Sequence, residues 1–275
     1  MKKIFLSFFI ILSLHSESAE GQQLSNKLET YKNKTILAIF AHPDDEGYVT
    51  PIFAKYAELG VNIQLVIVTD GSKGVTAHAN IEAGEALTKV RKLEAQCATK
   101  TLGINMPVFL DYTDGTLASM ENMFSLDDKI DSLFVKLQPD VVITFGPDGA
   151  YGHPDHRTVS NMVTEVYQRK GLASSKQLLY VGFLAESMDL SPSLKTNTGK
   201  WFKENIHTTD KKYLTYRVPY SKENIELARK SFYCHESQFT REEMDDLWLL
   251  MGAGEPLIYF RPWNGADKIY DDVFE

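Results

Sequence analysis

The sequence has little cysteine, and its two cysteines lie far apart. Cys97 and Cys234 are the only ones among 275 residues. Neither has a Cys or His partner at the spacing of a zinc-binding motif, since His235 follows Cys234 too closely. A thiolate metal site is therefore not expected. The two thiols can pair in an oxidising compartment, but free buried cysteine is common, and the expectation favours unpaired cysteines.

A long cluster of Lys and Arg is also missing, and the formal net charge is -8. This balance argues against a nucleic-acid surface, so no nucleic-acid partner is expected. Internal repeats and low-complexity tracts are absent. A hydrophobic content of 43% suits a globular core, and we expect one domain over residues 22–275.

No apolar run reaches the roughly 20 residues that a membrane-spanning helix needs, so no stable membrane span is expected. The longest run, Ile4 to Leu14, follows Lys2 and Lys3 and precedes several small residues. This order is typical of a secretory signal peptide. We expect residues 1–21 to be such a peptide and the protein to be exported to the periplasm or the extracellular space. An uncleaved amphipathic or core helix is the alternative.

Strand and helix patterns alternate along the chain. The predicted strands are Thr35–Phe40, Asn62–Thr69, Val108–Tyr112, Asp140–Phe145, Leu178–Leu184 and Tyr213–Val218. The predicted helices are Val49–Leu59, Glu85–Leu102, Leu126–Leu137, Thr158–Arg169 and Lys222–Tyr233. The tail from Phe239 shows no clear period and is predicted to be irregular. The alternation predicts an α/β fold, Rossmann-like and doubly wound, with a mostly parallel sheet, helices on both faces and strand order 3-2-1-4-5.

Two polar clusters follow the first and fourth predicted strands. The first runs from Ala41 to Gly47, and the second from Tyr151 to His156. In the expected strand order these two strands are neighbours, and ligands bind beyond their carboxyl ends. Imidazoles and carboxylates gathered there are what a catalytic divalent-metal site requires. The sequence therefore indicates a metallohydrolase.

The spacing within each cluster suggests separate roles. His42 and Asp45 can share one metal, while Asp44 points elsewhere and is free to take a proton from water. His153 and His156 are three residues apart, so one can bind the metal while the other faces substrate. Asp155 can orient an imidazole. Taken singly, Asp44 or Asp155 is more simply explained as a helix cap, but two clusters at matching strand ends favour the site.

Ala41-His42-Pro43-Asp44-Asp45-Glu46 and His153-Pro154-Asp155-His156 resemble the paired signatures of the PIG-L/LmbE-like deacetylase family. Its members are zinc-dependent enzymes that remove N-acetyl groups from N-acetylglucosamine conjugates. The stretch Thr69–Gly74 and the pair Arg91 and Glu94 resemble further family motifs. Tyr112–Gly115 and His235–Gln238 match more weakly.

The resemblance implies that zinc, or another divalent metal, binds to His42, Asp45 and His156. It implies that Asp44 is the general base. His153 and Tyr151 would stabilise the oxyanion, and Asp155 would orient His153. Arg91 and Asp114 would contact substrate hydroxyls, with structural salt bridging or capping as an equal alternative. Glu46 has a simpler explanation at a helix start, where a carboxylate complements the dipole.

The implied function is hydrolysis of the N-acetyl group of an N-acetylglucosamine-type sugar or glycoconjugate, a small-molecule substrate. Tyr48 and Pro51 depart from the family's small residues after the first motif, which leaves substrate identity open. Two alternatives stay open. One is a related zinc amidohydrolase acting on another amide, and the other is a secreted glycan-binding protein with an inert metal site.

Overall fold

The computed structural model describes residues 28–170, 177–190 and 193–275. The expected signal peptide, residues 1–21, lies outside the described residues. Within the described ranges, no helix combines the length and apolar character needed to cross a membrane.

A single mixed sheet of seven strands forms the centre of the described structure. The strands are β1 (Thr35–Phe40), β2 (Asn62–Thr69), β3 (Val108–Tyr112), β4 (Val141–Thr144), β5 (Gln177–Gly182), β6 (Tyr216–Pro219) and β7 (Leu257–Pro262). Their order is β3-β2-β1-β4-β5-β7-β6. Strands β1 to β5 are parallel, and β7 joins β5 and β6 by antiparallel pairing. The expected order 3-2-1-4-5 and the α/β class are confirmed.

Within the described ranges, eight helices of five or more residues connect these strands. They are α1 (Thr50–Glu58), α2 (Glu85–Leu102), α3 (Met120–Leu137), α4 (Pro154–Lys170), α5 (Ala185–Asp189), α6 (Asn197–Asn205), α7 (Lys222–Phe232) and α8 (Arg241–Met251). Helix α3 begins six residues earlier than the periodicity predicted, because the Ser119 hydroxyl caps it by accepting a hydrogen bond from the Asn122 amide at 3.2 Å. Helix α4 begins at Pro154, which suits the first helical position. Helices α5 and α6 were not predicted.

The prediction of an irregular tail from Phe239 is wrong. Helix α8 begins with a capping box, in which the Thr240 hydroxyl and the Glu243 carboxylate each accept a hydrogen bond from the other residue's amide. Strand β7 then lies between β5 and β6 in the sheet, although both of these strands precede it in the sequence. Its pairing is non-local, so a search for local periodicity could not detect it.

The core lies on both faces of the central strands. Residues 36–40 of β1 have no exposed surface, as expected for a central parallel strand covered by helices on both sides. This burial fixes the end of β1, and with it the start of the first polar cluster.

Cys97 and Cys234 form a disulfide, against the expectation of unpaired cysteines. Cys97 lies in α2, and Cys234 follows α7 by two residues. These helices pack together, whereas 137 residues separate the two cysteines in the sequence. The pairing therefore depends on a tertiary contact that the sequence did not reveal.

Candidate active site

The carboxyl ends of β1 and β4 bring the two polar clusters together. The two strands pair in parallel, and the Thr144 hydroxyl at the end of β4 donates a hydrogen bond to the Ile39 carbonyl of β1 at 2.8 Å. His42 lies two residues beyond β1. His156 lies in the first turn of α4, so its ring reaches back over the end of the sheet.

Three donor groups converge at this point. His42 Nδ1 lies 3.0 Å from His156 Nε2. The two oxygens of Asp45 lie 3.4 Å from His42 Nδ1 and 3.3 Å from His156 Nε2. Zinc bonds of about 2.0 to 2.2 Å in a tetrahedral arrangement place neighbouring donors roughly 3.3 Å apart. The three expected ligands therefore fit a metal ion, and all are buried.

The remaining polar atoms of these ligands have partners that fix their orientation. His156 Nδ1 lies 3.2 Å from the Gly149 carbonyl and donates to it, which leaves Nε2 as the free acceptor. The Asp45 carboxylate accepts the His42 amide at 2.7 Å. His42 Nε2 faces the carboxylates of Asp114 and Asp155 at 3.3 and 3.4 Å. Such carbonyl and carboxylate partners commonly orient metal-binding imidazoles.

Asp155 differs from its expected role. Its carboxylate approaches His42 and accepts the amides of Gly115 and Leu117 at 2.7 and 3.2 Å, whereas only its backbone amide meets His153, at Nδ1 and 3.2 Å. The Asp155 side chain thus contacts the segment after β3 and the His42 ring. This geometry suits an orienting group for His42 and not for His153.

Two other donor sets lie within 4.8 Å, namely His42 with His153 and His156, and His42 with Asp114 and Asp155. In the second set, Asp114 accepts the Lys73 amide at 3.1 Å, and both Asp155 oxygens accept backbone amides. These carboxylates are already engaged on the far side of the His42 ring. In contrast, Asp45 lines the adjoining cavity together with Asp44.

Asp44 has a backbone conformation that few side chains adopt, with φ 101°. The guanidinium of the buried Arg91 stabilises this conformation. Arg91 Nη2 lies 3.0 Å from the Asp44 carboxylate and also bonds to the Pro43 carbonyl, while Nη1 donates to the Gly71 carbonyl at 3.1 Å. Only 3% of Arg91 is exposed, so it does not lie where substrate hydroxyls could reach it. The structure contains the salt bridge that was the alternative prediction for Arg91.

Glu46 makes a contact that was not predicted from the sequence. Its Oε1 lies 2.6 Å from His235 Nε2, and its Oε2 accepts the Asp44 amide at 3.1 Å. Both side chains of the pair are buried. The simple helix-start explanation of Glu46 is therefore incomplete. The weakly matching stretch His235–Gln238 was the only signal that could have pointed to this partner.

His153 and Tyr151 border the donors from the side of the second cluster. The His153 ring centre lies 4.7 Å from that of His42, and the Tyr151 ring centre lies 5.1 Å from that of His156. His153 is half-buried, in contrast to the fully buried His156. The structure thus brings all the expected catalytic residues to one place, with His153 the more accessible histidine.

The charges of this cluster shift several pKa values. Burial disfavours the charged form of His42, but hydrogen bonds to Asp114, Asp155 and Asp45 outweigh it and raise the pKa of His42 well above its ordinary value. Burial would raise the pKa of Asp45, yet His156 and His42 hold it well below its usual range. Burial raises the pKa of Asp44 to about 6, against the opposing charge of Arg91. An acid with such a pKa is suited to accept a proton near neutral pH.

The segment that carries both polar clusters is similar to a known protein family. Residues 37–167 match the family model PIG-L, described as GlcNAc-PI de-N-acetylase. Over these residues, slightly less than half of the chain, the protein is similar to the PIG-L family. The matched segment extends from β1 through α4 and includes both polar clusters.

One relative is the 1D-myo-inositol 2-acetamido-2-deoxy-alpha-D-glucopyranoside deacetylase of Rhodococcus jostii. It is 30% identical over 161 residues, which cover 51% of this chain and 55% of the relative. The chain spans about half the length of the curated relatives it matches.

Solved structures share the fold over a greater length. The N,N'-diacetylchitobiose deacetylase of Pyrococcus horikoshii superposes with a TM-score of 0.62 and 22% identity, covering 88% of each chain. GalB, the 4-carboxy-2-hydroxymuconate hydratase of Pseudomonas putida KT2440, superposes with a TM-score of 0.56 and 14% identity, covering 87% of this chain and 99% of that one. At these identities the likeness concerns the fold.

Proposed function

We propose that this protein is a metal-dependent hydrolase that removes the N-acetyl group from an N-acetylglucosamine-type sugar or glycoconjugate. The observation that carries the proposal is the convergence of His42, Asp45 and His156 donor atoms at 3.0 to 3.4 Å, beside the carboxylate of Asp44. The family match and the relatives described as sugar deacetylases support it.

Zinc is the proposed metal, with another divalent ion as the alternative. When bound to His42, Asp45 and His156, it would polarise the amide carbonyl and lower the pKa of a water molecule. Three protein ligands leave a fourth position for water or substrate, as in catalytic zinc sites.

The side chains around the donors have separate roles in the reaction. Asp44 takes a proton from the attacking water, because burial sets its pKa near 6. His153 and Tyr151 stand next to the donors and stabilise the negative charge that develops on the carbonyl oxygen. Asp155 and Asp114 hold the His42 ring.

Export is part of the same proposal. The disulfide between Cys97 and Cys234 supports it, because disulfides persist in oxidising compartments and are rare in the cytosol. In that setting the enzyme would meet glycans or glycoconjugates outside the cytoplasm. Localisation of the full-length protein, by fractionation and N-terminal sequencing of the mature chain, tests this part.

The hydrolase proposal is tested by incubating zinc-loaded protein with acetylated amino sugars and measuring the released acetate. Asp44→Asn serves as the matched control, since it preserves shape and removes the base. We expect acetate release by the parent protein and almost none by the variant. Zinc binding without acetate release from any acetylated sugar would instead favour a glycan-binding protein with an inert metal site. Activity confined to other amides would favour a related amidohydrolase.

A further inference from the structure

An apolar cavity opens beside the candidate metal donors. Asp44 and Asp45 are among its lining residues, and the cavity together with the solvent-filled space at its mouth amounts to about 1080 Å³. Its walls come from the end of β5, from β7 and from helices α5, α6, α7 and α8. Most of this wall lies beyond residue 167 and so outside the family match.

The cavity wall is built from large apolar side chains. Phe232, Leu247 and Leu250 belong to one buried cluster that supplies part of it. Among the described residues that line it, the polar side chains besides Asp44 and Asp45 are Ser187 and three tyrosines, Tyr48, Tyr151 and Tyr259. A sugar ring needs a partner for each buried hydroxyl, and unpaired polar groups are costly to bury. These walls therefore suit a hydrocarbon chain better than a sugar.

The geometry of an amide places two groups on opposite sides of its reacting carbonyl. One is the sugar amine, and the other is the acyl chain. A carbonyl held at the donors of His42, Asp45 and His156 can direct one of them into the cavity. The sugar then lies toward the exposed side, where Trp201 presents a partly exposed ring whose centre is 5.4 Å from that of Tyr151.

We propose that the cavity binds a straight acyl chain longer than acetyl, so that the preferred substrates are N-acylated amino sugars with a medium-length fatty acyl group. The inference rests on the proposed function and specifies its substrate class. In the reaction, the water oxygen bonds to the acyl carbon and the carbon–nitrogen bond breaks. The amine leaves with a proton, and the products are a free amino sugar and a fatty acid.

A series of methyl glucosaminides N-acylated with acetyl, butanoyl, hexanoyl or octanoyl groups tests the inference. Released primary amine gives one readout for every chain length. Each methylene moved from water into the cavity favours binding by about fourfold. We expect kcat/KM to rise along the series and to be at least about 100-fold higher for octanoyl than for acetyl, because part of the gain offsets ordering of the chain.

Substitutions within and beside the cavity test whether the preference for longer acyl chains arises there. Leu250→Trp fills the cavity, whereas Leu249→Trp adds the same ring one residue away, at a partly exposed position that does not line it. We expect the octanoyl-to-acetyl ratio of kcat/KM to fall at least about 10-fold for Leu250→Trp and to stay unchanged for Leu249→Trp. Ala253→Phe, at a half-buried wall position, is a second filling variant if Leu250→Trp does not fold. An unchanged ratio in the folded filling variant overturns the assignment.

Binding to the Asp44→Asn protein, measured by calorimetry, separates affinity from turnover. Tighter binding of the octanoyl than of the acetyl glucosaminide is expected, and equal affinity contradicts the inference. An octyl glycoside of N-acetylglucosamine tests the other apolar occupant. Faster hydrolysis of that glycoside, without a rise along the acyl series, would assign the cavity to an aglycone and overturn the inference.

The outcomes also separate this inference from the proposed function. Hydrolysis of the acetyl compound with no gain for longer chains removes the acyl cavity and leaves the deacetylase standing. No hydrolysis of any N-acyl sugar removes both.

Discussion

Glu46 and His235 form a buried ion pair beneath the candidate site, with 2.6 Å between Oε1 and Nε2. The pair joins the segment after α7 to the turn after β1. Through its second oxygen, Glu46 also holds the amide of Asp44 at 3.1 Å. The unusual backbone of Asp44 is therefore supported from two sides, by Glu46 and by Arg91.

Glu46→Gln should destabilise the protein by about 3 kcal/mol near pH 6, because it removes one partner of a buried charge pair. Glu46 raises the pKa of His235 against the opposing effect of burial. A group whose pKa is raised on folding contributes its stability below the unfolded pKa and loses it as pH rises through the folded pKa. The difference in unfolding free energy between parent and variant should thus shrink in alkaline solution. Urea denaturation from pH 6 to pH 9 measures it, and a pH-independent difference would contradict the ion pair.

The double variant Cys97→Ser/Cys234→Ser should lower the free energy of unfolding by about 2 to 5 kcal/mol, since the disulfide closes a loop of 137 residues. Urea denaturation of the parent with and without reductant provides the control, and the reduced parent should resemble the variant. Ready reaction of both thiols with a labelling reagent in the non-reduced, unfolded parent would show that the bond does not form.

The sequence predicted the part of the fold that local patterns determine. Strand β1 matched its predicted bounds because a short apolar run marks it. Helix α2 matched because apolar residues at helical spacing and a terminal glycine mark it. The strand order was the one typical of a doubly wound sheet, and it correctly placed His42 and His156 close together.

Long-range packing determined the features that the sequence did not reveal. Strand β7 pairs with strands distant in the chain, Cys97 meets Cys234 across two helices, and His235 reaches Glu46 across 189 positions. The residues predicted that Asp155 orients an imidazole, and the resemblance named His153. The structure places the Asp155 carboxylate against His42 instead.

Variants of the donors should distinguish the possible metal sets. His156→Ala should abolish zinc retention, because it removes one of three ligands. Asp114→Asn should reduce zinc affinity by about 10- to 100-fold, as expected for a group that only orients a ligand. Zinc content after dialysis and competition with a chelator measure both. Complete zinc loss in Asp114→Asn together with normal retention in His156→Ala would show that the metal binds on the opposite side of the His42 ring.

Substitution of the two adjacent acids should distinguish the general base from the metal ligand. Asp44→Asn should retain metal and lower kcat by at least about 100-fold, while Asp45→Asn should weaken metal retention. Zinc analysis beside acetate release compares them directly. Equal metal loss in the two variants would mean that their roles are wrongly assigned.

The Arg91→Met variant should lower kcat without a matching change in KM, because Arg91 bonds to the backbone and carboxylate of Asp44 and is buried from substrate. Arg91→Lys keeps the charge but not the forked contacts, so it should recover only part of the activity. A rise in KM alone would restore the role expected from the sequence, contact with substrate hydroxyls.

His153 is half-buried beside the donors, and its pKa is lowered by burial and by the charges of His42 and His156. Its ring has the freedom to meet substrate that the fully enclosed His156 ring lacks. If it stabilises the oxyanion, His153→Ala should lower kcat and kcat/KM together by about 10² to 10³, with KM and bound zinc little changed. A purely structural His153 predicts the reverse, because activity would survive while stability fell by about 1 kcal/mol. Acetate release, zinc content and urea denaturation of this variant decide between the two, and near-normal turnover would remove His153 from the catalytic set.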